Sequence, residues 1–314
     1  MHAHPATQHI VHSVALKLPK FTPGNCCRAI LTHGMSLLLF TVLVFSGSLA
    51  AGLLGALTGL GGGVVLVPLL TLIFHVDLRY AIGASLISAI ATSSGSAAAY
   101  VREGFSSVRI GMFLEVATTV GAVFGAFLAA RVPVRALAVI FGVVLVYSAW
   151  LSGQQSRQSH EEVAAINPWS DRLRLSGSYP DGAGGEHHYT VDRISAGFAT
   201  MFGAGTLSGL LGIGSGAVKV LAMDRIMRIP FKVSTTTSNF MIGVTAAASA
   251  GIYLHRGYIY PGLAFPVMLG VLAGSLLGAR VLIRARVSLL RTVFTIVILA
   301  LGVEMIVNGW LNKL

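Results

Sequence analysis

Charge is scarce in this 314-residue chain: 22 Lys and Arg and 11 Asp and Glu make up only 11% of it. A globular chain carries about 25% charged residues, so there is too little charge here to coat a water-soluble fold of this size. Cysteine is nearly absent, with Cys26 and Cys27 adjacent. Neighbours do not bridge each other, and two cysteines exclude a disulfide framework. Zinc-ligand spacing, a phosphate-cradling Gly-rich loop and a dinucleotide fingerprint are all missing from the contexts that would give them meaning. No metal, no cofactor and no enzymatic activity are therefore expected.

What is present is apolar. Hydrophobic residues make up 54% of the chain, and mean hydropathy is +0.79. Runs of roughly 20 apolar residues recur, the length that spans a bilayer core as a helix. They lack the alternation of a barrel strand, so helices are the structure that satisfies their backbone in lipid. The net charge of +11 does not point to nucleic acid. Most Lys and Arg residues sit in short gaps between apolar runs, as they do in membrane proteins.

Residues 1–34 form a polar tail with scattered His2, His4, His9 and His12, read as solvated. The apolar runs are Met35–Leu57, Val64–Phe74, Tyr80–Tyr100, Val108–Ala130 and Val134–Leu151. After a hydrophilic connection, residues 152–191, come Ile194–Leu211, Ala217–Ile229, Val233–Leu254, Ile259–Ile283 and Leu289–Trp310. The second set repeats the first. A shift of 153 positions brings Gly52 onto Gly205, Gly59 onto Gly212, Gly61 onto Gly214 and Gly63 onto Gly216. It also brings Ser85 onto Ser238, Thr92 onto Thr245, Tyr100 onto Tyr253 and Gly121 onto Gly274. Chance matching of apolar residues does not place Gly, Ser, Thr and Tyr in one register. The organisation expected is an all-α membrane protein of about eight spans. Two homologous four-helix repeats, residues 35–151 and 192–314, each carry a Gly-rich break followed by a short half-helix.

Charge then assigns sides. Arg225, Arg228 and Lys232 fill one gap, and Arg284 and Arg286 another, so both are expected to be cytoplasmic. With eight spans, both copies run in the same direction and the central connection faces outward. A full crossing by the short piece would instead make five spans per half and invert the repeat.

The two breaks, Gly59–Gly63 and Gly212–Gly216, hold the candidate site. Irregular backbone at membrane depth survives where protein or a water-filled cavity satisfies it. A half-helix starting at Gly63 or Gly216 presents free N–H groups to an anion, and broken helices at matching places in two repeats mark a transporter site. Gly61, Gly62, Gly63, Gly214, Ser215 and Gly216 are the candidates there. Lys219, where the first copy has Leu66, is a cation inside an apolar run and a functional hypothesis by default; snorkelling or pairing with Asp224 is the bland alternative. Ser85, Ser88, Thr92 and Ser96 share a helix face, repeated by Ser238, Thr245 and Ser249. With Asn239 in the run Thr235–Asn239, these hydroxyls fit an oxyanion site or interhelical hydrogen bonding. Glu115 and Glu304 lie about two turns from a run's end and are placed near an interface, with a proton relay as the alternative reading for an intramembrane acid.

At the breaks the chain resembles a known family. Gly52-Leu-Leu-Gly-Ala-Leu-Thr-Gly-Leu-Gly-Gly-Gly-Val-Val-Leu-Val-Pro68, with Ala81-Ile-Gly-Ala-Ser85, is similar to the TauE/SafE sulfite exporters. Gly209–Lys219 and Lys232–Ser238 resemble that family's second repeat. Ser215 in place of a glycine, Leu221 where the first copy has Pro68, and the long central connection depart from the pattern. The resemblance implies a multi-pass permease of the cell (inner) membrane. It would export sulfite, a sulfonate or a related sulfur-containing acid anion; the broken helices of the two repeats fit alternating access, and a proton or sodium ion is a possible coupling ion. An ungated anion channel and an intramembrane enzyme using Ser215 are the alternatives. Partners are the anion and the bilayer, not nucleic acid, and the sequence sets no oligomeric state.

Overall fold

The computed structural model describes residues 37–58, 62–102, 107–153, 175, 177–180, 186–282 and 287–311. The first half contains α1 (Leu37–Thr58), α2 (Gly63–Pro68), α3 (Leu78–Arg102), α4 (Val108–Ala129) and α5 (Val134–Gly153). A hairpin follows, β1 (Gly177–Pro180) paired antiparallel with β2 (Glu186–Tyr189). The second half contains α6 (Ile194–Leu211), α7 (Gly216–Leu221), α8 (Phe231–His255), α9 (Pro261–Leu282) and α10 (Val287–Trp310).

The helices are built inside out relative to a soluble bundle. On α4, Glu115, Thr118, Gly121 and Gly125 face inward, while Met112, Val116, Val120, Phe124 and Phe127 face the surroundings. An exposed apolar face of that extent requires an apolar solvent. Among the described residues, three helical windows, Leu38–Gly55, Val108–Ala129 and Ile194–Leu211, are long and apolar enough to cross a membrane.

The 153-residue register extends into the backbone. α2 runs on as a π-turn over Leu69–Ile73, and α7 does the same over Ala222–Ile226. The turns close identically: Val76 N–H donates to the Leu70 carbonyl and Ile229 N–H to that of Met223. His75 and Arg228, one position before each of these donors, both hold a left-handed φ, 50° and 55°. A left-handed conformation is uncommon outside glycine, so its recurrence at matched positions reflects one turn used twice.

The two halves nevertheless run in opposite directions, which corrects the same-direction expectation. α4 lies parallel to α6, with Thr118 against Gly205 and Ala122 against Gly209. It also lies parallel to α8, through Ser107 with Thr237 and Glu115 with Thr245. α1 lies parallel to α9, with Phe45 against Gly270 and Leu49 against Gly274. Between matching helices the order reverses. Gly83 meets Tyr258 while Ser93 meets Asn239, so α3 opposes α8; Gly309 meets Arg135 while Gly302 meets Leu145, so α10 opposes α5. The physical reason is that each short helix folds back beside the long helix before it. That adds one reversal per half, and five strokes, an odd number, turn the second copy over.

The central connection changes sides as a result. Asp192 N–H donates to the Met227 carbonyl, so the segment entering α6 lies beside the Arg225–Arg228 gap and not opposite it. The connection also has a buried core of its own. Leu175, Tyr189 and Val191 pack with Ile110, Met227, Ile229 and Val233.

Candidate functional site

Both glycine breaks reach the interior and touch there. A methyl placed on Gly63 would sit 2.6 Å from Ser85 Oγ and 3.3 Å from the Gly212 carbonyl oxygen. Ser85, fully buried, donates to that same carbonyl at 2.8 Å. The first copy's break, its α3 hydroxyl and the second copy's break therefore meet at one point. Gly62 precedes α2 and lies against Val271 of α9. Gly61 lies outside the described residues.

The second break is the more contorted. Gly212, Gly214 and Ser215 all hold left-handed φ values, of 68°, 67° and 46°. Tyr253 braces its approach, its hydroxyl facing the Gly209 and Leu210 carbonyls at 3.2 and 3.3 Å. Ser215 is buried, yet its Oγ has no hydrogen-bond partner among the described residues. A buried hydroxyl in that state is rare enough to require an explanation, and one on a non-glycine left-handed residue combines two costs.

Lys219 lies one turn into α7, with no exposed surface. Its Nζ donates to Thr245 Oγ1 at 2.6 Å. That hydroxyl is within donating distance of Glu115 Oε1 at 2.7 Å and of the Met241 carbonyl at 2.8 Å. Thr119 also donates to Glu115 Oε1, at 3.1 Å, while Glu115 Oε2 is buried with no partner. The charge acting on Lys219 is that of Glu115. Snorkelling and Asp224 pairing, the bland readings, give way to a buried Lys–Thr–Glu chain joining α7, α8 and α4.

Glu115 is thus the residue the sequence misplaces. Two turns from a helix end suggested an interface, whereas α4 turns it inward. Parallel packing of α4 on α8 brings it to Thr245, 130 positions away. The one signal available was an acid within an apolar run, the same signal that marked Lys219.

The hydroxyl face mostly bonds backbone. Thr92 donates to the Ser88 carbonyl, Ser88 to that of Ser85, and Ser249 to that of Thr245, the back-bonding common for hydroxyls in helices. Ser238 reaches the Gly216 carbonyl at 3.4 Å, and Gly214 lies against Ile242. Asn239 enters through its carbonyl, which accepts from Ser93. Ser93 Oγ also accepts from Gly243 N–H at 3.0 Å, so it inserts at one rung of the α8 ladder. Ser93 lies off the face that spacing singled out.

Comparison with known proteins finds the same type of molecule. A "Probable membrane transporter protein YunE" of Bacillus subtilis is 29% identical over 279 residues, covering 86% of this chain and 98% of that protein. A second from that organism, "Probable membrane transporter protein YdhB", is 25% identical, over 77% of this chain and 89% of its own. A "Probable membrane transporter protein" of Xylella fastidiosa is also 25% identical, over 86% and 95%. No solved structure matches. The model of the family described as sulfite exporter TauE/SafE matches residues 44–305. With both glycine breaks inside that match, this chain belongs to the TauE/SafE sulfite exporter family of membrane transporters.

Proposed function

We propose that this protein is a multi-pass permease of the cell (inner) membrane that carries a small sulfur-containing anion, sulfite or a sulfonate, by alternating access. The observation that carries the reading is Lys219. A cation with no exposed surface, held at a broken helix where two oppositely directed halves touch, is costly unless it has a task, and an anion is its natural ligand. Ser215, four residues before it with its hydroxyl unpartnered, supplies a donor next to the same place. The matching positions in the first half are Gly62 and Leu66, so the second break holds the anion and the first shapes the cavity.

In the membrane, the long helices cross, and α2 and α7 fold back beside α1 and α6 from opposite faces. The end carrying Arg193, Arg225 and Arg228 adjoins the central connection with its own Arg157, Arg172 and Arg174. This basic end is the cytoplasmic one. Because Lys219 is sealed, an anion reaches it only when one part moves against the other, which favours a carrier over a pore. An enzyme is disfavoured at Ser215, since a nucleophile needs an adjacent base and its Oγ has no partner.

The test is counterflow in vesicles reconstituted with the full chain. Labelled sulfite and small sulfonates are trapped against a gradient, and native protein is compared with Lys219→Ala. Saturable counterflow that Lys219→Ala lowers at least tenfold supports the reading. Flux linear in concentration supports a channel. Counterflow unchanged by Lys219→Ala removes Lys219 from the site.

A further inference from the structure

We infer that Glu115 is the proton-carrying residue of this transporter and that one proton moves with each monovalent anion. The inference rests on the anion-carrier reading and names its coupling ion.

The argument is one of charge balance in a dry interior. A buried charge is tolerated when it is paired. Lys219 and Glu115, bridged by Thr245, form such a pair across 2.6 and 2.7 Å contacts. An anion binding at Lys219 takes over the role of counterion and leaves Glu115 as a second, uncompensated negative charge. Taking one proton onto Glu115 restores neutrality. Oε2 is the oxygen that receives it, because Oε1 is already engaged by Thr245 and Thr119 while Oε2 is buried without a hydrogen-bond partner among the described residues. When the anion leaves, Lys219 returns to Glu115 through Thr245 and the proton is released. Anion and proton therefore travel in the same direction, and the moving complex carries no net charge beyond that of the empty carrier.

Among the described residues on the elements packed around Glu115, no titratable group other than Lys219 lies beside it. Helix α6, packed on α4, has no titratable side chain. On α8 the titratable Lys232 lies thirteen positions before Thr245, and Tyr253 and His255 lie eight and ten beyond it. On α7 and its π-turn, Asp224 and Arg225 lie five and six positions past Lys219. Arg109, on α4 itself, is exposed and six positions earlier. Lys219 is the charged group whose field reaches Glu115.

The experiment uses the full chain in vesicles containing a trapped pH dye, with labelled ethanesulfonate as the probe because its charge is constant between about pH 5 and 8. Sulfite is a second probe, read as the difference between native and variant. The readout is the ratio of protons to anions moved. Native protein is expected to give one, and a one-unit pH gradient to drive about tenfold accumulation. In Glu115→Gln the ratio falls to zero on whatever flux remains. Should that variant not fold, the native protein decides: ethanesulfonate binding raises a protonated-carboxyl infrared band. Anion flux without proton movement, a ratio of one in Glu115→Gln, or no such band overturns the proposal and leaves the carrier reading intact. Absence of counterflow with both probes overturns both.

Discussion

Gly209→Ala is a severe test of how the halves are joined. α4 and α6 cross so closely that a methyl on Gly209 would lie 2.8 Å from the Ala122 carbonyl carbon and 2.9 Å from the Ala126 nitrogen. Ordinary contact between carbons is about 3.5–4.0 Å, so the helices must separate by about 1 Å, and a gap of that size forfeits a quarter to a half of the attraction between facing atoms. Overpacking of this kind costs about 1–3 kcal/mol, against a gain of about 0.5–1 kcal/mol from Ala over Gly in a helix. The loss of facing contacts places the net near 2 kcal/mol destabilising. Gly203 is the control: it lies on the same helix, and a methyl there meets nothing within 4 Å. Gly203→Ala should therefore be neutral or stabilise by up to about 1 kcal/mol. Both are measured by denaturation of the purified chain in detergent. Equal stability of the two variants would refute the close-crossing account.

Lys219→Ala should cost up to about 3–5 kcal/mol where Glu115 stays ionised, and less where it takes up a proton; adding Glu115→Gln should recover most of that in the same unfolding assay, and no recovery would break the pairing argument. Ser215→Gly should stabilise the fold by about 1 kcal/mol through relief of the left-handed backbone. The same variant should weaken sulfite counterflow several-fold, and unchanged flux would free the hydroxyl from the site. For topology, with Cys26 and Cys27 replaced by Ser, single cysteines at Arg193 and Arg225 should react with an impermeant maleimide from one side and those at Arg131 and His255 from the other. Labelling of Arg193 and Arg225 from opposite sides would restore the same-direction repeat.

Much of the fold was legible because its signals are local. The apolar runs place the long helices within a few residues, and the register that aligned Gly52 with Gly205 and Gly121 with Gly274 reappears as glycines at the α1–α9 and α4–α6 crossings. Direction was not legible. It depends on whether eleven residues after a break continue onward or fold back, and both courses have the same hydropathy. Lys219 stood out as a cation in an apolar run, but its link to Glu115 depends on the parallel packing of α4 on α8, which no periodicity reports. The β1–β2 hairpin was missed for a different reason: its strands, Gly177–Pro180 and Glu186–Tyr189, have little apolar alternation, although Tyr189 packs into the buried cluster.

The opposed halves carry one further consequence. In a frame made of two identical copies facing opposite ways, the inward-open and outward-open forms are the same object seen from either side, and they have equal energy. Only differences between the copies can tilt that balance. Here the difference is concentrated: Leu66 and Met268 stand at the positions that match Lys219 and Glu115, so one half keeps the ionic chemistry and the other keeps only the geometry. The direction in which such a machine prefers to rest is therefore written in a handful of substitutions between duplicates, and exchanging those side chains between the halves is the most economical way to reverse it.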